Sequence, residues 1–134
     1  MARKVIEYTV LDEGRDQGKV FQIREMSASQ AEMWAARALF AMARNGIDIP
    51  DDIAESGVAG LASFGVKAIC GMSFDDAQPL LNEMMQCVKV MPDPNRPEVV
   101  RALIEDDIEE IGTRLKLRKE VLKLHTDFFF GANQ

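Results

Sequence analysis

Any chemistry in this chain has to come from one histidine, two cysteines, a run of carboxylates and a run of glycines. His125 is the natural candidate for a general base or metal ligand, because imidazole titrates near neutral pH. No Glu-x-x-His or His-x-x-x-His spacing accompanies it, so an interface position or an internally hydrogen-bonded ring is expected instead. Cys70 and Cys87 stand 17 residues apart with no Cys-x-x-Cys, which argues against zinc. Glu105, Asp106, Asp107, Glu109 and Glu110 supply oxygen donors, but not in the spaced pattern of a cation loop. Gly57, Gly60 and Gly65 lack the Gly-Lys-Ser/Thr that completes a phosphate-binding loop. Nucleophile-elbow, kinase and dinucleotide fingerprints are also missing from the sequence. No residue set proposes a reaction, so a protein without catalytic, cofactor or metal residues is expected.

The charge balance narrows the class further. A formal net charge of −6 over 134 residues argues against binding nucleic acid through its phosphates, which needs a basic footprint. Residues 48–110 carry 14 acidic and 4 basic side chains, whereas residues 111–127 carry 5 basic and 2 acidic. That asymmetry predicts pairing within the fold or between copies, or a solvated surface. The apolar run 58–69 is too short to span a membrane and contains Lys67. A cytoplasmic protein with two buried thiols and no membrane partner is the expectation, folded as one domain over residues 1–134.

The elements that would position these residues follow from periodicity. Residues 4–10 and 19–24 each alternate apolar and polar around a polar loop containing Gly14 and Gly18. They predict an antiparallel hairpin over 4–24 whose eight-residue loop projects from the body. Residues 29–45 predict a helix, started by a Ser29/Glu32 capping box and ended by Gly46. It is apolar nearly all round, with a polar stripe of Gln30, Arg37 and Arg44, and should be a buried core pin. Its two arginines point outward or towards the acidic middle of the chain. A second helix is expected from Asp51 or Asp52 to Ile69, and a third after the cap at Ser73, with Asp75 and Asp76 in its first turn. Residues 90–101 hold Pro92, Pro94 and Pro97 and read as a loop, flanked by short runs at 88–91 and 99–101 that can pair as a second hairpin.

The longest helix is expected over 105–129, acidic at its start and basic at its end as the helix dipole favours. It carries two apolar stripes roughly 130° apart at about 100° per residue. Ile108, Ile111, Leu115, Leu122 and Phe129 form the first; Leu117, Val121, Leu124 and Phe128 form the second. A helix on the surface of a monomer needs only one. The second is therefore expected to meet either the hairpin of the same chain or a partner. Met84 and Met85, on the third helix, suit an adaptable binding surface or an irregular core. The predicted fold is α+β and mainly α, with a β-hairpin packed on a bundle of about four helices over 29–130.

Five stretches carry a resemblance that these patterns do not. They are residues 12–21 (Asp-Glu-Gly-Arg-Asp-Gln-Gly-Lys-Val-Phe), 28–38 (Ala-Ser-Gln-Ala-Glu-Met-Trp-Ala-Ala-Arg-Ala), 73–81 (Ser-Phe-Asp-Asp-Ala-Gln-Pro-Leu-Leu), 97–101 (Pro-Glu-Val-Val-Arg) and 103–110 (Leu-Ile-Glu-Asp-Asp-Ile-Glu-Glu). Together they resemble the tail assembly chaperone family of tailed bacteriophages, and none of them is a mechanistic motif. The resemblance implies a non-enzymatic protein of the host cytoplasm, missing from the mature virion. Its partners would be the hydrophobic helical tape measure protein, the tail tube protein and further copies of itself. The chain would correspond to the short form, or the N-terminal domain, of a protein made in two lengths. On this reading the partner-binding residues are expected to be Leu117, Val121, Leu124 and Phe128, with Met84 and Met85. The competing expectation is a structural virion protein, a tail tube or head–tail connector component using the projecting loop.

Overall fold

The computed structural model describes residues 3–48, 67, 68 and 70–126. Strand β1 (Val5–Thr9) and strand β2 (Val20–Arg24) form the predicted hairpin, with Ile6 opposite Ile23 and Tyr8 opposite Phe21. Helix α1 (Ala28–Arg44) follows, then helix α2 (Phe74–Met85) and strand β3 (Val88–Met91). Strand β4 (Arg101–Ala102), a 3-10 turn (Glu105–Asp107) and helix α3 (Ile111–Thr126) complete the order. A second hairpin forms in a shifted place: β4 shares only Arg101 with the predicted run 99–101, and Lys89 lies opposite Ala102 and Val90 opposite Arg101.

The two hairpins are not separate. Phe21 pairs with Val90 and Ile23 with Val88, so β2 and β3 join them into one antiparallel sheet of order β1-β2-β3-β4. Direct cross-strand partners share a sheet face. Ile6, Tyr8, Phe21, Ile23, Val88 and Val90 therefore form a single apolar surface. Helices α2 and α3 cover it, and Met84, Met85, Leu117, Val121 and Leu124 share its buried cluster. The expected hairpin on a bundle of about four helices is corrected accordingly. Among the described residues three α-helices of three or more turns sit with a four-stranded sheet. The helix predicted from Asp51 or Asp52 to Ile69 lies outside the described residues, except that Lys67, Ala68, Cys70 and Gly71 are helical.

Three further expectations change. The cap of α1 is Ser27, whose side chain accepts the Gln30 N–H at 3.3 Å, so the helix begins before the Ser29/Glu32 pair. Nor is α1 the buried pin: only Ala41 and Met42 are fully buried on it, while Met33, Leu39 and Phe40 are exposed. The sheet face is already filled by α2 and α3, and α1 reaches that cluster only through Ala31 and Trp34. It is held to α2 instead by polar contacts, Trp34 Nε1–H to the Leu80 carbonyl at 3.1 Å, Arg37 to Glu83 and Arg44 to Asp76. Both arginines thus turn to the acidic middle of the chain.

Helix α3 starts six residues later than 105. The acidic run is drawn out of helical register, with Ile108 extended at φ −127° and ψ 117°. The Asp107 carboxylate takes both guanidinium nitrogens of Arg101 at 2.8 Å and the Ile104 N–H at 2.7 Å. The projecting loop is also absent from this fold. Residues of the β1–β2 loop fold back on the start of α3, where Arg15 pairs with Glu110 and Asp12 with Lys116.

Candidate functional site

Leu117 is wholly buried and Val121, Leu124, Met84 and Met85 nearly so. All five belong to the central cluster, so none offers a surface to a partner in this fold; Phe128 lies outside the described residues. Of the two neighbours expected for the second stripe, the hairpin of the same chain is the one it meets. The second stripe meets the sheet, whereas Ile111 (78% exposed) and Leu115 (59%) of the first stripe face outward. Helical periodicity separates the faces of a helix without saying which one a neighbour covers.

The outward stripe leads into a groove between α1 and α3. Ala31, Trp34 and Ala35 form one wall, Val121, Leu122 and His125 the other, and the open volume is about 80 Å³. The walls are almost entirely apolar, and the space suits a single aliphatic or aromatic side chain. Two polar ties set its width. Trp34 is anchored on the Leu80 carbonyl, and His125 Nε2 accepts the Met26 N–H at 2.9 Å. His125 Nδ1 lies 2.8 Å from the Val121 carbonyl, so Nδ1–H donates there and the neutral ring serves both partners. The histidine is a joint between the entry to α1 and the end of α3.

Charge on α3 is arranged about the exposed stripe. At about 100° per residue, Arg114 and Arg118 fall on one flank of Leu115 and Leu122, and Lys119 and Lys123 on the other. Glu120, the only acid within the helix, lies about 160° round from Leu122 by the same rule. Arg118 donates to the Leu81 carbonyl at 3.4 Å, and its pKa is lowered by burial and by the neighbouring charge of Arg114.

A second polar centre lies at the other end of α3. Asp16 is 1% exposed and accepts the N–H groups of Glu109 and Glu110, both at 2.9 Å. Lys19 bridges Asp16 and the Asp107 carbonyl at 3.0 and 2.9 Å. Burial alone would raise the Asp16 pKa, but hydrogen bonds from Glu109, Thr113, Lys19 and Glu110 outweigh it and hold the carboxylate well below its usual range. Every acceptor position is taken up in closing the fold, which makes this a structural clasp. Among the described residues no three His, Cys, Asp or Glu side chains converge as metal ligands. Of the two thiols expected to be buried, Cys87 is, and burial with the nearby Glu83 pushes it up to about 11. Cys70 is exposed.

No family model, curated protein or solved structure matches the chain. The functional reading therefore rests on the residues themselves. Periodicity does not mark Met33, Leu39, Phe40, Ile111 and Leu115 as surface residues, because it reads an apolar side chain as a buried one. Their visible signal was excess: more apolar faces on α1 and α3 than one core can cover. Among the described residues no helix is long and apolar enough to cross a membrane.

Proposed function

We propose that this chain is a tail assembly chaperone of tailed bacteriophages, a non-enzymatic protein that binds apolar helices of the tape measure protein before the tail tube forms. The observation that carries the reading is the exposure of apolar side chains on two helices, Ile111 and Leu115 on α3, whose stripe leads into the apolar groove, and Met33, Leu39 and Phe40 on α1, outside that groove. Exposed apolar patches of this kind mark interaction surfaces, and grooves between helices are a common seat for an amphipathic helix. The five resembling stretches name the partner class. The polar side chains add support, since the buried Asp16 and Asp107 and the half-buried His125 are each engaged in joining elements.

The chaperone would act in the host cytoplasm, self-associate, meet tail tube subunits and leave before the virion matures. The alternative of a virion component drew on a projecting loop, and that loop is packed against α3. Co-expression with a tape measure fragment tests the proposal. The tagged chain is expected to keep the fragment soluble and to co-purify with it, and Met33→Asp with Phe40→Asp is expected to lower the yield of complex. A fragment that precipitates alone beside soluble chain would sink the reading. Recovery of the chain from purified virions by mass spectrometry would favour the structural alternative.

A further inference from the structure

The face of α3 turned away from the sheet combines features that a solvated helix has no need of. Ile111, Leu115 and Leu122 lie along about 17 Å of one side, at the rise of an α-helix. Ile111 and Leu115 are exposed and Leu122 half-buried at the groove. Arg114 with Arg118, and Lys119 with Lys123, border this stripe as two like-charged pairs spaced four residues apart. Such pairs oppose helix formation, where an alternation of acid and base would support it. The positive charge stands on a chain whose net charge is −6, so it is a local feature of this helix and not a general composition.

We infer that this face of α3 docks an amphipathic helix of a partner protein whose apolar stripe is flanked by acidic side chains. The apolar stripes meet over about three turns, with one partner side chain entering the groove beside Trp34, and the acids pair with Arg114 on one side and Lys119 on the other. Long basic side chains of this kind cover apolar surface with their stems while offering charge at the rim. Complementary charge selects the partner and its register more than it adds affinity. The inference deepens the chaperone reading and rests on it for the helical nature of the partner.

Two labelled synthetic peptides test it, alike in a leucine stripe at helical spacing, one flanked by glutamate and the other by lysine. Fluorescence anisotropy against the full chain is expected to show the glutamate peptide binding at least about tenfold more tightly at low salt, with the gap closing as salt screens the flanks. Arg114→Glu with Lys119→Glu is expected to weaken that preference or reverse it, and Ile111→Ser with Leu115→Ser to remove binding of both peptides without moving the thermal unfolding midpoint. Equal binding of the two peptides, a preference untouched by the charge reversal, or no binding of either overturns the inference. So does a self-associated chain, by light scattering, that the charge reversal dissociates, since a second copy would then occupy the face. Capture of a tape measure fragment that ignores these substitutions removes this face and leaves the chaperone reading standing. Acid-selective peptide binding without capture of the fragment does the reverse.

Discussion

The carboxylate of Asp16 accepts the backbone N–H of Glu110 across 94 residues of sequence, and so ties the β1–β2 loop to the residues that lead into α3. Here a distant aspartate takes the amides of Glu109 and Glu110, and Lys19 ties that aspartate to the Asp107 carbonyl. The hairpin and the C-terminal helix are thereby fastened at the end opposite the apolar groove.

Acid sensitivity should follow from this clasp. A carboxylate whose pKa is lower in the folded than the unfolded chain adds stability above the unfolded value, near 3.9, and loses it as pH falls towards the folded value. Thermal unfolding midpoints are expected to drop as pH falls below about 4, with a shallower drop for Asp16→Asn. Asp16→Ala, which strands several donors, should lower stability by about 3 kcal/mol at neutral pH in urea unfolding. Parallel acid limbs for the native chain and Asp16→Asn would contradict the assignment.

Two leucines of α3 should separate its faces. Leu117 is wholly buried between the sheet and α2, so Leu117→Ala is expected to cost about 3 kcal/mol. Leu115→Ala, on the exposed face, should stay within about 0.5 kcal/mol. Equal losses by chemical denaturation would mean that the helix is turned differently.

The thiols should react in order of exposure. Iodoacetamide at mildly alkaline pH is expected to label Cys70 within the native chain, and Cys87 only after denaturant is added, as followed by intact mass. Burial and the Glu83 charge keep Cys87 protonated under those conditions, and the thiolate is the reactive form. Native double labelling would show that the base of β3 is open.

His125→Ala should loosen the joint between the entry to α1 and the end of α3, because the Met26 N–H loses its acceptor. A loss of about 1–2 kcal/mol is expected, with Trp34 emission shifting to longer wavelength as the groove admits water. Unchanged emission and stability would show that the hydrogen bond is dispensable.

Much of the local architecture was legible in the residues. Alternation located β1, β2 and their pairing, Ser73 marked the start of α2, and the short runs around the proline loop paired as β3 and β4. These depend on contacts within a few residues, or on strands joined by one loop. The joining of the hairpins through Phe21–Val90 and Ile23–Val88 was not legible, because alternation shows that a strand has an apolar face but not which strand lies beside it. The candidate site failed for the same reason. The stripe of Leu117, Val121 and Leu124 left the hairpin and a partner both open as its neighbour, and the fold gives it the hairpin and leaves Ile111 and Leu115 exposed.

By itself the sequence determined where most elements lie, that the chain is acidic with a basic end, and that α1 and α3 carry more apolar surface than a single core absorbs. Only the tertiary structure decided which part of that surface is spent internally. The sheet face accommodates α2 and one side of α3, leaving α1 at the margin and the other side of α3 bare. Burial is settled by which surfaces fit together across the whole chain, and spacing along one helix carries no record of that.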